Sequence, residues 1–173
     1  MVLELGEAVA RLHRLEAPAV VASQEALGRL RGEAPERLRR FGFPSVLADQ
    51  VADYLEEALP ADTLVHGDLT GDHVFVRDSA IEGIIDWGDA MVADPYYELV
   101  PLFFDAFGAR RDRLRSFLDA YGWRASGAEF ARRALRAILS FQFDTVAVMQ
   151  TVVGLDRVRD LGELAERLFA RVG

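Results

Sequence analysis

The middle of the chain carries a polar loop between two short apolar runs, residues 65–76: Val65-His66-Gly67-Asp68-Leu69-Thr70-Gly71-Asp72-His73-Val74-Phe75-Val76. The β-branched and aromatic residues at its ends predict strands, and its glycines allow tight turns between them. Four ionisable side chains fall within the eight positions 66–73. Such a cluster costs solvation and conformational freedom, so it favours a functional loop over unrelated turns and caps.

Short strands are predicted on both sides of this loop. Residues 63–65, 73–77 and 81–87 have β-type patterns, and Asp78-Ser79-Ala80 predicts the loop of a hairpin between the last two. The polar loop and Asp86, which carry the candidate chemistry, lie within these strands and the connections between them.

The hairpin predicts which side chains meet at its open end. Antiparallel pairing from its loop sets Arg77 against Ile81 and places Asp72 opposite Asp86, with His73 beside them. Two carboxylates and an imidazole at one loop mouth suit a divalent cation that leaves positions open for phosphate oxygens. We therefore expect a metal site at this end of the hairpin.

Asp68 lies apart from the hairpin, on the loop that precedes it. There its carboxylate could accept a proton from a substrate hydroxyl while the metal binds a phosphoryl group. A single loop aspartate is more often an Asx turn or a cap, and that alternative applies to each of these acids taken alone. The set as a whole favours a functional site.

Helical patterns occupy the rest of the chain and predict a mainly α fold with a small β-hairpin insertion, an α+β arrangement. The expected helices lie at 1–16, in two pieces within 23–41, at 45–59 with Ser45 as its cap, at 94–107, at 110–121, from a capping box at 126–129 through the apolar stretch 135–153, and at 161–172. The length fits a single domain over 1–173.

Three parts of that domain are distinguished by their patterns. Residues 1–60 form a helical lead segment, residues 61–93 contain the catalytic loop and the metal-binding hairpin, and residues 94–173 form a helical core. No internal repeat or flexible linker separates them.

The composition excludes several kinds of site. The 173 residues include no lysine, asparagine or cysteine, so a Walker-type phosphate loop, a Schiff-base lysine, a disulfide and a thiolate metal site are impossible. The net charge of −8 argues against nucleic-acid binding and suits cationic ligands or metal ions. Without a signal-peptide pattern or an uninterrupted apolar span, we expect a cytoplasmic protein with no membrane partner.

The motifs in combination resemble the aminoglycoside phosphotransferase family of kinase-like small-molecule phosphotransferases, and especially its C-terminal lobe. The segments that carry the resemblance are His66-Gly67-Asp68-Leu69, Ile85-Asp86-Trp87, Asp94-Pro95-Tyr96-Tyr97-Glu98-Leu99 and the helical segment Ala10-Arg11-Leu12-His13. The resemblance implies a protein-kinase-like C-terminal lobe that begins after the interlobe hinge, with the N-terminal nucleotide lobe absent.

The resemblance also implies roles for individual residues. Asp68 would be the catalytic base that orients the acceptor hydroxyl, and Asp86 would chelate the magnesium ions on ATP or GTP. Supporting roles would fall to four further residues: His66 as the brace of the loop, Asp94 and Glu98 as anchors of the helix after the metal loop, and Asp89 as an acceptor contact.

Two features depart from the family pattern. The family's second metal ligand is an Asn five residues after the catalytic Asp, and that position here holds His73, with Asp72 beside it. Because imidazole is a poorer magnesium ligand than an amide oxygen, either Asp72 takes the metal, or the site favours manganese, or metal binding there is weakened. The family's N-terminal lobe also carries a phosphate-positioning lysine, which this chain lacks.

The primary prediction is a lobe that transfers a nucleotide γ-phosphoryl group to a hydroxyl of a small molecule, either an aminoglycoside-like antibiotic or a metabolite. Such a lobe would be incomplete without an N-terminal lobe. A non-catalytic, degenerate kinase-like binding module is the main alternative, and a metal-dependent phosphohydrolase is a third. An exposed apolar surface on the hinge side, along residues 1–15, further predicts self-association.

Overall fold

Helices make up most of the computed structural model, which describes residues 1–17, 24–78, 80–169 and 172. The helices are α1 (Val2–Leu12), α2 (Gln24–Gly32), α3 (Ala34–Arg40), α4 (Ser45–Ala48), α5 (Val51–Tyr54), α6 (Pro95–Pro101), α7 (Arg111–Tyr121), α8 (Gly127–Ser140), α9 (Val146–Val153) and α10 (Leu161–Phe169). The strands are β1 (Thr63–Val65), β2 (Val74–Arg77), β3 (Ala80–Ile84) and β4 (Met91–Ala93). The mainly helical fold with small antiparallel sheets is as the sequence predicted.

Shorter helical turns complete the chain trace. Turns of 3₁₀ helix lie at Gly71–His73, Trp87–Asp89 and Leu155–Arg157, and a π-helical segment continues α6 at Leu102–Ala106. Three of these four turns adjoin the polar loop or the segment after the hairpin. Within the described residues, no helix has the length and apolar character that crossing a membrane requires.

The strands form two antiparallel pairs. β1 pairs with β4, with Thr63 opposite Ala93, and β2 pairs with β3 as a hairpin. Because His66 directly follows β1 and Asp89 precedes β4, the first pairing brings the polar loop next to the segment that follows the hairpin. The sequence did not predict β4, because its partner β1 is distant in the chain and no hairpin turn connects the two strands.

At its closed end, the hairpin has a register that differs from the predicted one. Arg77 pairs with Ala80, one position earlier than predicted, so the three-residue loop was wrong in including Ala80; Ser79 lies outside the described residues. A bulge at Glu82 adds one residue to β3, so the residue pairs toward the open end are again the predicted ones. There the backbone N–H of Ile85 donates to the carbonyl oxygen of His73 at 3.1 Å.

The predicted helix over 45–59 was wrong in its cap and in its length. Ser45 is the first residue of α4 and Pro44 precedes it as the cap residue, while α5 ends at Tyr54. Leu47 of α4 and Val51 of α5 are both fully buried. Both short helices therefore pack against the core, although the residues between them are not helical. Tertiary packing here overrides the helical pattern of the sequence.

The apolar stretch 135–153 is two helices rather than one. α8 ends at Ser140, and the backbone of Phe141 is extended, with its ring 5.1 Å from that of Tyr97 between centroids. The predicted capping box at 126–129 was also wrong, because Ser126 makes no side-chain hydrogen bond at the start of α8.

Other helix ends agree more closely with the sequence patterns. Asp94 caps α6 with Pro95 in its first turn, and Gly122, with a φ of 83°, ends α7. α1 ends at Leu12, earlier than predicted. Two predicted ends lie outside the described residues: the start at Ser23 and the last turn of the helix over 161–172.

α1 packs closely against α7. A Cβ at Gly6 would lie 2.7 Å from the carbonyl oxygen of Phe117, so the absence of a side chain there allows the two backbones to approach. Leu5 and Val9 are buried on the same side of α1. Most of the apolar stripe of α1 is therefore covered, and three apolar side chains near it remain exposed: Met1, Leu3 and Leu15.

Candidate active site

His66 anchors the polar loop in the protein interior. Its side chain is fully buried directly after β1. Nε2 donates to the carbonyl oxygen of Ile85 at 2.8 Å, and Nδ1 accepts the backbone N–H of Asp68 at 3.3 Å. These partners assign the proton to Nε2. The ring therefore ties the loop to the end of the hairpin.

Asp68 holds its carboxylate at the mouth of the loop. The side chain is 23% exposed, so a substrate can reach it although protein surrounds most of it. Burial raises the pKa of this carboxyl above its usual value, while the His73 imidazole opposes that rise and the Asp89 carboxylate adds to it. A partly desolvated carboxylate accepts a proton more readily than a fully hydrated one.

His73 lies between Asp68 and Asp86. Its Nδ1 donates to the backbone carbonyl oxygen of Asp68 at 2.7 Å, and its Nε2 is 3.6 Å from Oδ2 of Asp86. With the proton on Nδ1, a neutral ring presents the lone pair of Nε2 to the carboxylate. A cation placed between these two atoms would be attracted by both.

Asp86 adopts a backbone conformation that residues other than glycine rarely adopt, with φ of 62° and ψ of 63°. The Trp87 indole donates to the carbonyl oxygen of Ile84 at 2.9 Å, and its ring centroid lies 4.6 Å from that of His66. These contacts close the turn around Asp86. Left-handed strain of about 1–3 kcal/mol persists where the surroundings determine the conformation, and it is common at functional sites.

The structure brings some of the predicted metal ligands together. His73 and Asp86 face each other, whereas the exposed side chain of Asp72 makes no hydrogen bond or ion pair with a described residue. Across the same residues, no three His, Asp or Glu side chains converge on a point that could hold a metal ion. Magnesium is often held by one or two carboxylates and fills its shell with phosphate oxygens and water, so Asp86 fits an ion that binds together with a nucleotide. His73 would add a nitrogen ligand, which suits manganese better than magnesium.

Asp89 contacts the loop through its backbone. A Cβ at Gly67 would lie 2.2 Å from the carbonyl oxygen of Asp89, and Gly67 has a φ of 84°. The side chain of Asp89 is held from the α8–α9 connection, where Nε2 of Gln142 donates to its Oδ1 at 2.8 Å. A third carboxylate therefore lies near Asp68.

Glu98 supports the loop from α6. It is fully buried, and its Oε2 accepts the backbone N–H of His66 at 2.6 Å. Nε2 of His13 lies 3.7 Å from the same oxygen, and Nδ1 of His13 is 2.9 Å from the Tyr121 hydroxyl. This chain of buried polar groups connects α1, α6 and α7 to the loop.

Asp94 fixes the start of α6. Its Oδ1 accepts the backbone N–H of Tyr96 at 2.9 Å, and its Oδ2 accepts Nε and Nη2 of Arg133 at 2.9 and 2.5 Å. Burial raises the pKa of this carboxyl, and the Arg133 guanidinium opposes the rise. The contacts hold α6 against α8 and so fix the position from which Glu98 reaches the loop.

Three polar residues at the site were not identified as such from the sequence. His13 is a single histidine in a helical pattern, which does not by itself indicate a buried polar contact with Glu98. Gln142 is a polar residue within the apolar stretch 135–153, and that interruption is the signal that could have identified it. Asp105 gave no signal, because its partner is a backbone amide 34 residues earlier: its Oδ1 accepts the N–H of Gly71 at 2.7 Å.

Comparison with known proteins gives a family match. The model of a family described as "Phosphotransferase enzyme family" matches residues 1–138. Among characterised proteins, an aminoglycoside 3'-phosphotransferase of Enterococcus faecalis is 32% identical over 81 residues, covering 36% of this chain and 31% of that protein.

Solved structures share the fold. Macrolide 2'-phosphotransferase type I superposes with a TM-score of 0.59 at 22% identity, covering 99% of this chain and 58% of that one. The GDP complex of wild-type aminoglycoside 2'-phosphotransferase-IIIa gives a TM-score of 0.58 at 21% identity, covering 96% of this chain and 60% of that one. The chain thus spans less than two thirds of the length of these relatives.

Proposed function

Because this chain belongs to the phosphotransferase enzyme family, we propose that it is the catalytic, C-terminal lobe of an enzyme that transfers the γ-phosphoryl group of ATP or GTP to a hydroxyl of a small molecule. The family match over residues 1–138 confirms the resemblance seen in the sequence. The proposed acceptor is an aminoglycoside-like antibiotic or a metabolite, since relatives include aminoglycoside and macrolide phosphotransferases.

The arrangement around Asp68 is the observation that carries this proposal. Asp68 offers a partly exposed carboxylate of raised pKa, and His73 connects its backbone to Asp86. In the proposed reaction Asp68 orients the acceptor hydroxyl and takes its proton. Asp86, with His73 or Asp72, would hold a magnesium or manganese ion, which supplies positive charge to the nucleotide phosphates when it is bound.

The remaining predicted residues have supporting roles in this proposal. His66 and Glu98 hold the loop through the hydrogen bonds described above, and Asp94 holds α6. Asp89, with Gln142 bound to one of its oxygens, would face the acceptor. A cationic acceptor would suit the acidic mouth formed by Asp68 and its neighbours.

A lysine on the nucleotide phosphates would have to come from outside these 173 residues, because the chain has none. Phosphoryl transfer depends on positioning and charge stabilisation, so we expect little turnover from these residues alone. The tests below therefore use the protein with any N-terminal lobe that its gene encodes. A cytoplasmic location and the absence of nucleic-acid and membrane partners stay predictions from composition.

The test measures phosphoryl transfer from ATP and from GTP to a panel of aminoglycosides, macrolides and hydroxylated metabolites. Asp68→Ala and Asp86→Ala should each abolish transfer while the circular dichroism spectrum stays native. Asp119→Ala, which removes an exposed acid from α7, serves as the control and should keep the wild-type rate. Unchanged transfer in both site variants would exclude the proposed function.

The metal preference tests the role of His73 separately. Imidazole suits manganese better than magnesium, and His73→Asn restores the family's amide oxygen. We expect the ratio of the rate in magnesium to the rate in manganese to rise in the His73→Asn variant. An unchanged ratio would show that His73 does not bind the metal.

A non-catalytic binding module is the second candidate, and His73 at the position of the family's second metal ligand favours it, because imidazole is a poorer magnesium ligand than an amide oxygen. It predicts that the wild-type protein binds nucleotide or metal without turning over any acceptor. Turnover that disappears in Asp68→Ala would eliminate this candidate.

A further inference from the structure

We propose that Asp105 is a positioning residue that fixes the loop carrying Asp68. Its Oδ1 accepts the backbone N–H of Gly71 at 2.7 Å, while Oε2 of Glu98 accepts that of His66 at 2.6 Å. The two anchored amides lie on either side of Asp68 in the sequence. Both carboxylates belong to α6 and its π-helical continuation, so one helical element holds the loop at two points.

The π-helical segment Leu102–Ala106 explains how Asp105 reaches the loop. The segment follows Pro101, which has no N–H to donate, and its turn is wider than an α-helical turn, as the 2.8 Å hydrogen bond from the N–H of Phe107 to the carbonyl oxygen of Leu102 shows. It lies against the loop, since a Cβ at Gly71 would be 3.7 Å from Cα of Ala106. Such segments occur frequently at functional sites.

The contacts inside the loop connect Gly71 to Asp68. The carbonyl oxygen of Asp68 accepts the backbone N–H of Thr70 at 2.8 Å and Nδ1 of His73 at 2.7 Å. Gly71 lies between these two donors in the sequence, so a change in its position moves the groups that hold Asp68. A hydrogen bond from a backbone amide to a carboxylate is charge-assisted and stronger than a neutral one.

Asp105 is an exposed residue, so its side chain has no role in the packing of the core and its proposed role is confined to the loop. Removing its carboxylate leaves no buried charge without a partner, and water can reach the freed amide. The expected effect therefore falls on the geometry of the loop and leaves global stability nearly unchanged.

Hydrogen exchange of the Gly71 amide, followed by NMR, tests the contact directly. Asp105→Ala removes the acceptor, and Asp105→Asn keeps an acceptor oxygen. Asp119→Ala is the control, because the exposed side chain of Asp119 in α7 makes no hydrogen bond or ion pair with a described residue. We expect exchange to be about tenfold faster in Asp105→Ala, and close to wild type in the other two variants. Unchanged exchange in Asp105→Ala would overturn the proposal.

The effect on Asp68 rests on the proposed function and is measured by phosphoryl transfer. Asp105→Ala should lower kcat about tenfold with both KM values within about twofold of wild type, and Asp105→Asn should restore most of the rate. An unchanged kcat in Asp105→Ala would overturn the positioning role. If the wild-type protein transfers no phosphoryl group, the proposed function fails, while the amide exchange still decides whether Asp105 fixes the loop.

Discussion

At Gly67 the polar loop packs closely against the turn after the hairpin. A Cβ there would lie 2.2 Å from the carbonyl oxygen of Asp89, and the φ of 84° is unfavourable for any residue with a side chain. Gly71 in the same loop is different, because its Cβ would meet its nearest atom, Oδ1 of Asp105, at 3.5 Å. An alanine at Gly67 would therefore clash with backbone, whereas an alanine at Gly71 would make an ordinary contact and serves as its control.

Gly67→Ala should lower the free energy of unfolding by about 3 kcal/mol, because the new methyl group must displace backbone and the residue must keep a left-handed conformation. Gly71→Ala should lower it by less than about 1 kcal/mol, since the contact is an ordinary one and the amide still donates to Asp105. Urea denaturation of both variants measures the difference. Equal losses would show that the contact between Gly67 and Asp89 does not constrain the loop.

At the residue scale, the sequence predicted some contacts between residues and missed others, and each outcome has a physical reason. Counting along the strands brought His73 and Asp86 together correctly, since the bulge at Glu82 cancels the error in the hairpin loop. Asp72 does not join them because the backbone at 71–73 is a 3₁₀ turn, in which side chains no longer alternate as on a strand. Contacts from a distant side chain to a backbone amide, such as that of Asp105, leave no local pattern.

Arg37 connects helical elements that are distant in the chain. It is buried and donates to the carbonyl oxygens of Leu30, Phe141 and Leu139 at 2.9, 3.2 and 3.3 Å, near the ends of α2 and α8. Burial lowers the pKa of its guanidinium. These carbonyl groups have lost helical partners at the helix ends, so the side chain satisfies acceptors that would otherwise be unpaired.

Arg37→Met should therefore lower the free energy of unfolding by about 3 kcal/mol, since the new side chain fills the space without donating hydrogen bonds. Arg40→Met, at an exposed position of α3, is the matched control and should change it by less than about 0.5 kcal/mol. Thermal and urea denaturation provide the comparison. A loss in Arg37→Met no larger than that in the control would mean that these hydrogen bonds contribute little to stability.

Glu163, in α10, should make the free energy of unfolding of the protein depend on pH. Its carboxylate accepts the backbone N–H and Nε of Arg159 and the guanidinium of Arg167, and these hydrogen bonds lower its pKa from 4.5 to about 2. A lowered carboxyl pKa means that the ionised form stabilises the folded state. This stabilisation is complete above about pH 4.5 and is lost as the pH falls toward about 2.

Glu163→Gln should accordingly be less stable than the wild type at pH 7, and the difference should shrink as the pH falls from about 4.5 to about 2. Glu166→Gln, at an exposed position of the same helix, is the control and should show no such trend. Urea denaturation at several pH values gives the free energies of unfolding. A difference that does not vary with pH would exclude this coupling.

At the element scale, caps and breakers predicted the helices that begin or end on a strong local signal. Asp94-Pro95 and Gly122 mark real boundaries, because the cap hydrogen bond and the left-handed glycine are local features. The patterns over 45–59 and 135–153 indicated helix in the right places and overlooked the interruptions within them. Those interruptions depend on packing against other elements, such as the contact of Phe141 with Tyr97.

At the scale of the whole molecule, most of the exposed large apolar side chains of the described residues lie in two groups, while Val46 and Phe143 are exposed singly. One set lies at α1 and the other on the hairpin and the turn after it: Met1, Leu3 and Leu15, and Phe75, Val76, Ile85 and Trp87. The larger part of the stripe of α1 is covered by α7, so the surface that could mediate self-association is smaller than the helical pattern alone suggests.

Self-association through residues 1–15 stays a prediction. Sedimentation equilibrium at two concentrations should show a larger mean mass at the higher one, and Leu3→Glu should reduce that increase by placing a charge in the contact. A strict monomer at both concentrations would contradict it.

The most direct test of the proposed chemistry is the rate of phosphoryl transfer in Asp68→Asn, a substitution that keeps the size of the side chain and removes its ability to take a proton. The measurement compares kcat and the nucleotide Kd with those of the wild type. The proposal predicts that kcat falls by a factor of about 10²–10⁴ while the nucleotide Kd stays within about twofold. A wild-type kcat in Asp68→Asn would contradict the assignment of Asp68 as the catalytic base.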